Sequence, residues 1–348
     1  MNDLKYLFAY TIPLSTALSI YFLDVFSYGA VFYAFFLIPV LELILSTPNK
    51  TYTENEKSSR LTNILFDLML YANLPIVFGL MGYGLYILST ESLAVYEIVG
   101  LILSLGILLA TNAINVAHEL GHRKAKFEQT MSKALLMPCL YMHFFFEHNY
   151  GHHKNVATPE DPATSKYNQI LYHFWFTSVI KQYRNAWEIQ MGILKKENCS
   201  FVSLKNEMIF YIVIQGLYLG LIFFVFGLQT LFYALLVGIL SFLFLETINY
   251  IEHYGLLREK SSSGRYERVQ TKHSWNSNHL IGRIVLYELT RHSDHHHKAS
   301  KKYQVLEHKS ESPQLPFGYP TCILIAMIPP LWFRLMNPRI PEEMLALG

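Results

Sequence analysis

Residues 94–123 read AVYEIVGLILSLGILLATNAINVAHELGHR: an apolar run over 94–117 that ends directly in two histidines, His118 and His122, and then in Arg123 and Lys124. A bilayer core about 30 Å thick needs roughly 20 apolar residues per helix, so this run is long enough to cross and delivers its histidines to one membrane surface. At spacing i,i+4 the two imidazoles share one helical face and can hold one metal ion. The pattern alone would also suit a zinc protease, which needs a third ligand and a glutamate base.

Working outward, similar apolar runs recur at 5–23, 26–46, 63–88, 207–227 and 230–250, giving an expected all-α fold with a bundle of six transmembrane helices. The composition agrees, with 52% hydrophobic and 16% charged residues and a mean hydropathy of +0.22, too apolar for an ordinary soluble domain. The turns near Asp24, Glu91 and Gly227 carry no Lys or Arg, whereas Lys50, Lys57 and Arg60 follow the second run and Arg123, Lys124, Lys126, Lys133, Lys154, Lys195 and Lys196 lie within 118–206. The positive-inside rule then places both termini and the long segments 118–206 and 251–348 in the cytoplasm. Residues 1–348 are expected to form one domain, because those two segments share a side and can assemble over the helix ends. The apolar stretches Leu135–Phe146 and Tyr319–Phe333 are too short to cross and should lie in the interface or pack on the bundle. A formal charge of +2 gives no basic surface for nucleic acid. The N-terminus lacks a basic region and cleavage site, so its apolar run reads as a retained anchor.

All 15 histidines lie in 118–206 and 251–348. EHNYGHH at 147–153 adds His148, His152 and His153, whose adjacent pair can point to two neighbouring sites. NYIEHYG at 249–255 adds His253, and RHSDHHH at 291–297 adds His292, His295 and His296. One such pair is more often structural than metal-bound; three clusters and His253 at the ends of apolar helices reverse that judgement. Nine imidazoles exceed what one four-coordinate zinc requires and suit two ions with an open position for oxygen, which favours two irons. Glu119, Glu147, Asp161, Glu252 and Asp294 sit beside the clusters and could accept the outer ring N–H groups. His143 and His273 are further candidates for that supporting layer, and His173, His279, His297 and His308 read as structural. Among acids within or near the spans, Glu42, Asp67 and Glu246 are candidates to face the site, whereas Glu97 fits the outer end of its helix. Cys139, Cys199 and Cys322 form no pair, which argues against a disulfide framework, a zinc ribbon or a built-in iron–sulfur centre.

With these residues in view the chain resembles the alkane 1-monooxygenase (alkane ω-hydroxylase) family, relatives of membrane fatty-acid desaturases and xylene monooxygenases. HELGHR, EHNYGHH, NYIEHYG and RHSDHHH follow that family's motifs in order, as do KNVATPEDPATS, GRYE, HSWNSNH and GYP. Thr290 and His297 depart from its usual Leu-Gln-Arg-His-Ser-Asp-His-His-Ala, and Glu252 stands where xylene-type enzymes usually carry Gln. The resemblance implies terminal hydroxylation of alkanes to primary alcohols, with O2 and two electrons, in a bacterial inner membrane. It also implies a rubredoxin donor reduced by an NADH-dependent reductase, to be steered by Lys154, Arg265, Arg268, Lys301 and Lys302. The hydrocarbon should enter from membrane lipid into a slot among the spans, with Ala34, Phe35, Leu108, Asn112, Ile248 and Leu289 as candidate walls. The rivals are an acyl-chain desaturase or hydroxylase, a xylene-type methyl monooxygenase, and a membrane metal transporter.

Overall fold

The computed structural model describes residues 2–45 and 51–347; Lys50, used above for orientation, and Ser46, the last residue of the second run, lie outside them. The described residues form helices and turns, with no strand among them. The first apolar run becomes a 3-10 segment, Asn2–Tyr10, continued by α1, Thr11–Phe22. It turns at Leu23 and Asp24, both with positive φ, into α2, Asp24–Ile44. There follow α3, Leu65–Thr90, α4, Val95–Gly121, α5, Leu171–Lys196, and α6, Glu207–His253. Four of these, α2, α3, α4 and α6, are long and apolar enough to cross a membrane. The helix breaks within α6 at Gly227, whose φ of 83° is open to glycine at little cost, and the chain reverses there, since Gln215 before it and Phe242 after it both meet the Tyr141–Met142 stretch.

Apolar side chains line the outside of the bundle: Leu43, Phe224 and Leu228 are 78%, 85% and 70% exposed, and Tyr21, Phe22, Val25, Phe26, Leu217 and Leu221 join them. Such a girdle would be an aggregation hazard in water and is the expected surface of a helix bundle in lipid. The interior is closed by a core that runs from Phe66 and Leu70 through Leu101, Leu105 and Leu109 to Val237. Helix Lys126–Leu136 and the segment to Phe146 pack into this core through Leu135, Leu136, Cys139, Tyr141 and Phe144. Helices Tyr319–Ala326 and Pro329–Met336 pack through Cys322, Ile323 and Trp332 against Tyr250 and Tyr254. Neither short stretch adds a spanning helix.

Among the described residues three wide π-helical segments interrupt the helices, at Tyr33–Leu37, Leu109–Ile114 and Glu147–His152. Such turns cost hydrogen-bond geometry and gather at functional sites. Here the first two border an apolar cavity and the third carries histidines.

Candidate metal centre

The nine histidines singled out by spacing come together in two groups. His118, His122, His148, His153 and His295 form one, and His152, His253, His292 and His296 the other; within each, the ring nitrogens lie within 4.8 Å of one another. Local helix geometry explains the sorting. His118 and His122 are one α-helical turn apart, as are His292 and His296. His148 and His153 are five apart, one turn of the π segment, so both enter the first group while His152 between them is turned to the second. His253 arrives at the last turn of α6.

The contacts are made by Nε2 atoms. His122 Nε2 lies 3.2 Å from the Nε2 of His118, His148 and His153; His148 and His153 are 2.9 Å apart and His153 and His295 3.2 Å. In the second group His152 to His296 and His292 to His253 are each 3.2 Å. One ring proton cannot serve three acceptors, so hydrogen bonding alone cannot account for the arrangement around His122. Two imidazole nitrogens each about 2.1 Å from one ion, at right-angled to tetrahedral angles, lie about 3.0–3.4 Å apart, and the observed spacings fit a shared cation.

The electrostatics prepare the rings to ligate. Burial pushes the His122 imidazole down to about 3. Burial and then the like charge of neighbouring rings hold His148, His153, His292, His295 and His296 well below the usual histidine range. These rings are therefore neutral at pH 7, the form that binds metal. His152 goes the other way: burial opposes its charge, but the adjoining Asp161 carboxylate raises its pKa overall.

Of the supporting residues expected from sequence, only Asp161 meets an outer ring nitrogen, with Oδ2 3.0 Å from His152 Nδ1. Glu252 touches a ring differently: Oε2 is 3.1 Å from the inward-facing Nε2 of His292, while Oε1 accepts from Tyr319 Oη at 2.5 Å. Glu119 pairs with Arg123 and accepts from the Tyr303 N–H, Asp294 accepts from Lys301 and the Glu307 N–H, and Glu147 accepts from Asn185. These three, expected to hold rings, hold cations, backbone and an amide instead, because each points away from its histidine neighbour along the helix. His143 packs edge-on against Tyr141 and Tyr183, and His273 bonds Glu267 and the Gln270 N–H, so neither supports a ligand ring through its side chain.

The acids flagged near the spans also find partners. Glu97 accepts from the backbone N–H groups of Ala94 and Asp24 at the start of its helix, Asp67 pairs with Arg123 and Lys302, and Glu42 accepts from the Gly282 N–H. Glu246 is wholly buried and accepts from Tyr141 Oη at 3.0 Å, Ser178 Oγ at 2.6 Å and Gln182 Nε2 at 2.8 Å. None of the four meets a histidine ring.

An apolar slot leads to the histidines. Its far part is lined by Ile12, Ala34, Phe35, Ile38, Ile107 and Phe244 among others. Its near part is lined by Ile114, Asn115, Phe144, Leu245 and Leu289 together with His118, His148 and His292. Ala110, Ile248, Leu286 and Tyr319 border both. Ala34, Phe35, Ile248 and Leu289 are thus wall residues, but Leu108 and Asn112 are not. Leu108 is buried in the central core, and the Asn112 amide bonds Asn73 and the Ala9 carbonyl. From the same helix it is Ile107 and Thr111 that line the far part and Ile114 and Asn115 the near part, and the π segment Leu109–Ile114 between them shifts which residues face the slot.

Comparison with known proteins agrees with this site. The fatty acid desaturase family model matches residues 92–326. The chain is 35% identical over 319 residues to an alkane 1-monooxygenase of Acinetobacter baylyi, covering 92% of this chain and 78% of that protein. It is 37% identical over 309 residues to alkane 1-monooxygenase 2 of Alcanivorax borkumensis, covering 88% and 81%. To the hydroxylase component of a xylene/toluene monooxygenase of Pseudomonas putida it is 28% identical over 353 residues, covering 98% and 90%. With the family model covering all nine clustered histidines and the alkane enzymes matching most of its length, the chain belongs to the fatty acid desaturase family, among the alkane 1-monooxygenases.

Proposed function

We propose that this protein hydroxylates the terminal methyl group of alkanes or similar hydrocarbon chains, with His118, His122, His148, His153 and His295 holding one iron and His152, His253, His292 and His296 a second. The observation that carries the reading is the end of an apolar slot on two sets of converging imidazole nitrogens. Bound iron supplies the redox chemistry with O2 that an unactivated C–H bond demands, since such a bond offers no proton for acid–base catalysis. The protein's own part is placement and dryness. An alkane makes no hydrogen bond, so Ile12, Ile38, Ile107, Phe244 and Ile248 hold it by shape and bring its methyl end to the imidazole face.

The membrane arrangement belongs to the same proposal: one domain, six spans, and both termini and the histidine-bearing segments on the cytoplasmic side of a bacterial inner membrane. A 47-residue helix would extend about 70 Å at 1.5 Å per residue. The reversal at Gly227 instead supports two crossings by α6, and α1 with the segment before it supplies the first. Electrons enter from rubredoxin, kept reduced by an NADH-dependent reductase, because the three cysteines stand apart as free thiols. A second reading, an acyl-chain desaturase or hydroxylase, is favoured by the fatty acid desaturase family model. The transporter reading fares worse, because the far part of the slot is lined by no Asp, Glu, Lys, Arg or His that could pass a cation.

The test is iron quantification on the purified protein, together with octane-to-octanol turnover supported by rubredoxin, its reductase and NADH. Two irons per chain and 1-octanol are expected, and His253→Ala and His295→Ala should each lower bound iron and abolish turnover. Acyl chains modified with no octanol formed would favour the second reading.

A further inference from the structure

The near part of the slot contains an amide neither of whose polar atoms is satisfied. Asn115 is 7% exposed, and both its Oδ1 and its Nδ2 are buried with no hydrogen-bond partner. It stands one helical turn before His118 and lines the cavity that His118, His148 and His292 also line. The other amide there, Asn249, is engaged, donating to Glu246 Oε1 at 3.4 Å. A primary amide buried among Ile114, Phe144, Leu245 and Leu289 costs free energy unless a ligand completes it, and an alkane cannot.

We propose that Asn115 is a hydroxyl-binding residue that recognises the oxygenated end of the chain: its Oδ1 accepts from, and its Nδ2 donates to, the hydroxyl of the primary alcohol. The inference rests on the alkane-hydroxylase reading, which puts a new hydroxyl at the carbon nearest His118. A hydroxyl is both donor and acceptor and so matches the two unpaired amide atoms together. The cavity then discriminates by state of oxidation, with shape holding the substrate and one amide adding affinity only after oxygen has been inserted.

The experiment measures equilibrium binding of octane, 1-octanol and 1-chlorooctane to the full-length, iron-loaded protein without reductant, each corrected for partition into detergent. For the unaltered protein, 1-octanol should bind more tightly than 1-chlorooctane, a comparison that needs no variant. Asn115→Leu should lose about fivefold in 1-octanol affinity, about 1 kcal/mol, the worth of one hydrogen bond, with octane affinity changed less than twofold. Equal losses for octane and 1-octanol, or no loss for either, would overturn the assignment, as would 1-chlorooctane binding as tightly as 1-octanol. Failure of octane to bind the unaltered protein would instead strike the alkane reading beneath it.

Discussion

Asp161 holds His152 by its outer nitrogen, Oδ2 to Nδ1 at 3.0 Å, and so turns Nε2 toward His296. Among the nine rings this support is unusual, since the Nδ1 atoms of His118, His292, His295 and His296 are buried without a partner. Thr164 Oγ1 and the Ala163 N–H both donate to the same carboxylate and fix it in turn. Asp161→Asn should therefore weaken metal binding at the four-histidine group by about 10–100-fold, the usual cost of losing such a partner. Metal content after graded chelator dialysis checks this: one ion per chain should be lost early and the other at the unaltered chelator concentration. Early loss of both would show that the groups do not bind independently.

How much of this was legible in advance differs between the histidines and their surroundings. Ligand spacing survives translation into structure because i,i+4 pairs such as His118 and His122 need only a helix, and the motifs supply one each. The sorting of His148, His152 and His153 depended on a π segment that the α-helical period does not announce. Outer partners were poorly legible for a physical reason: a residue adjacent in sequence to a helical ligand points about 100° away from it. Hence Glu119 found Arg123 and Asp294 found Lys301, whereas Asp161, nine residues from His152, reached the ring through a turn. Asn115 stands three residues before His118, one helical turn from a ligand.

The slot should set chain length by where it stops. Ala34 is 7% exposed and packs with Ile12, Ile38 and Ile107 in the part farthest from the histidines. Ala34→Phe fills that end while leaving the imidazole face untouched. Long alkanes that reach it should lose about 5–150-fold in kcat/KM, from an overpacking cost of about 1–3 kcal/mol, while shorter ones keep most of their rate. A product profile across alkanes of increasing length measures it; a uniform loss at every length would mean that the substrate runs elsewhere.

Glu246 ties three segments through one carboxylate, taking Tyr141 from the stretch after helix Lys126–Leu136, Ser178 and Gln182 from α5, and Asn249 from its own helix. Glu246→Leu leaves the Tyr141 and Ser178 hydroxyls buried without that acceptor, while Gln182 Nε2 keeps Ser178 Oγ, and at about 1–3 kcal/mol for each unsatisfied group a loss of about 2 kcal/mol or more is expected. Glu246→Gln keeps an acceptor oxygen and should cost less than half as much. Thermal unfolding in detergent distinguishes them, and equal melting temperatures for the leucine variant and the unaltered protein would remove Glu246 from the scaffold.

Charge on the histidine-bearing side should govern the encounter with an acidic electron donor, but not through every lysine and arginine that the sequence offered. Lys301 is taken up by Asp294 and Glu307, and Lys302 by Asp67, so their fields are largely cancelled before a partner arrives. Lys154, Arg265 and Arg268 are exposed, and the latter two follow directly on the turn at Gly264. Reversing them as Arg265→Glu with Arg268→Glu should raise the KM for rubredoxin several-fold at low salt and leave kcat nearly unchanged, because peripheral charge acts on association more than on the bound state. Raising ionic strength beyond about 0.5 M should erase the difference, the screening length there being shorter than the reach of a docking encounter. A charge-reversed variant whose KM is unaltered at low salt would move the donor's landing site away from this turn, and one whose defect persists at high salt would assign these arginines direct contacts in place of steering.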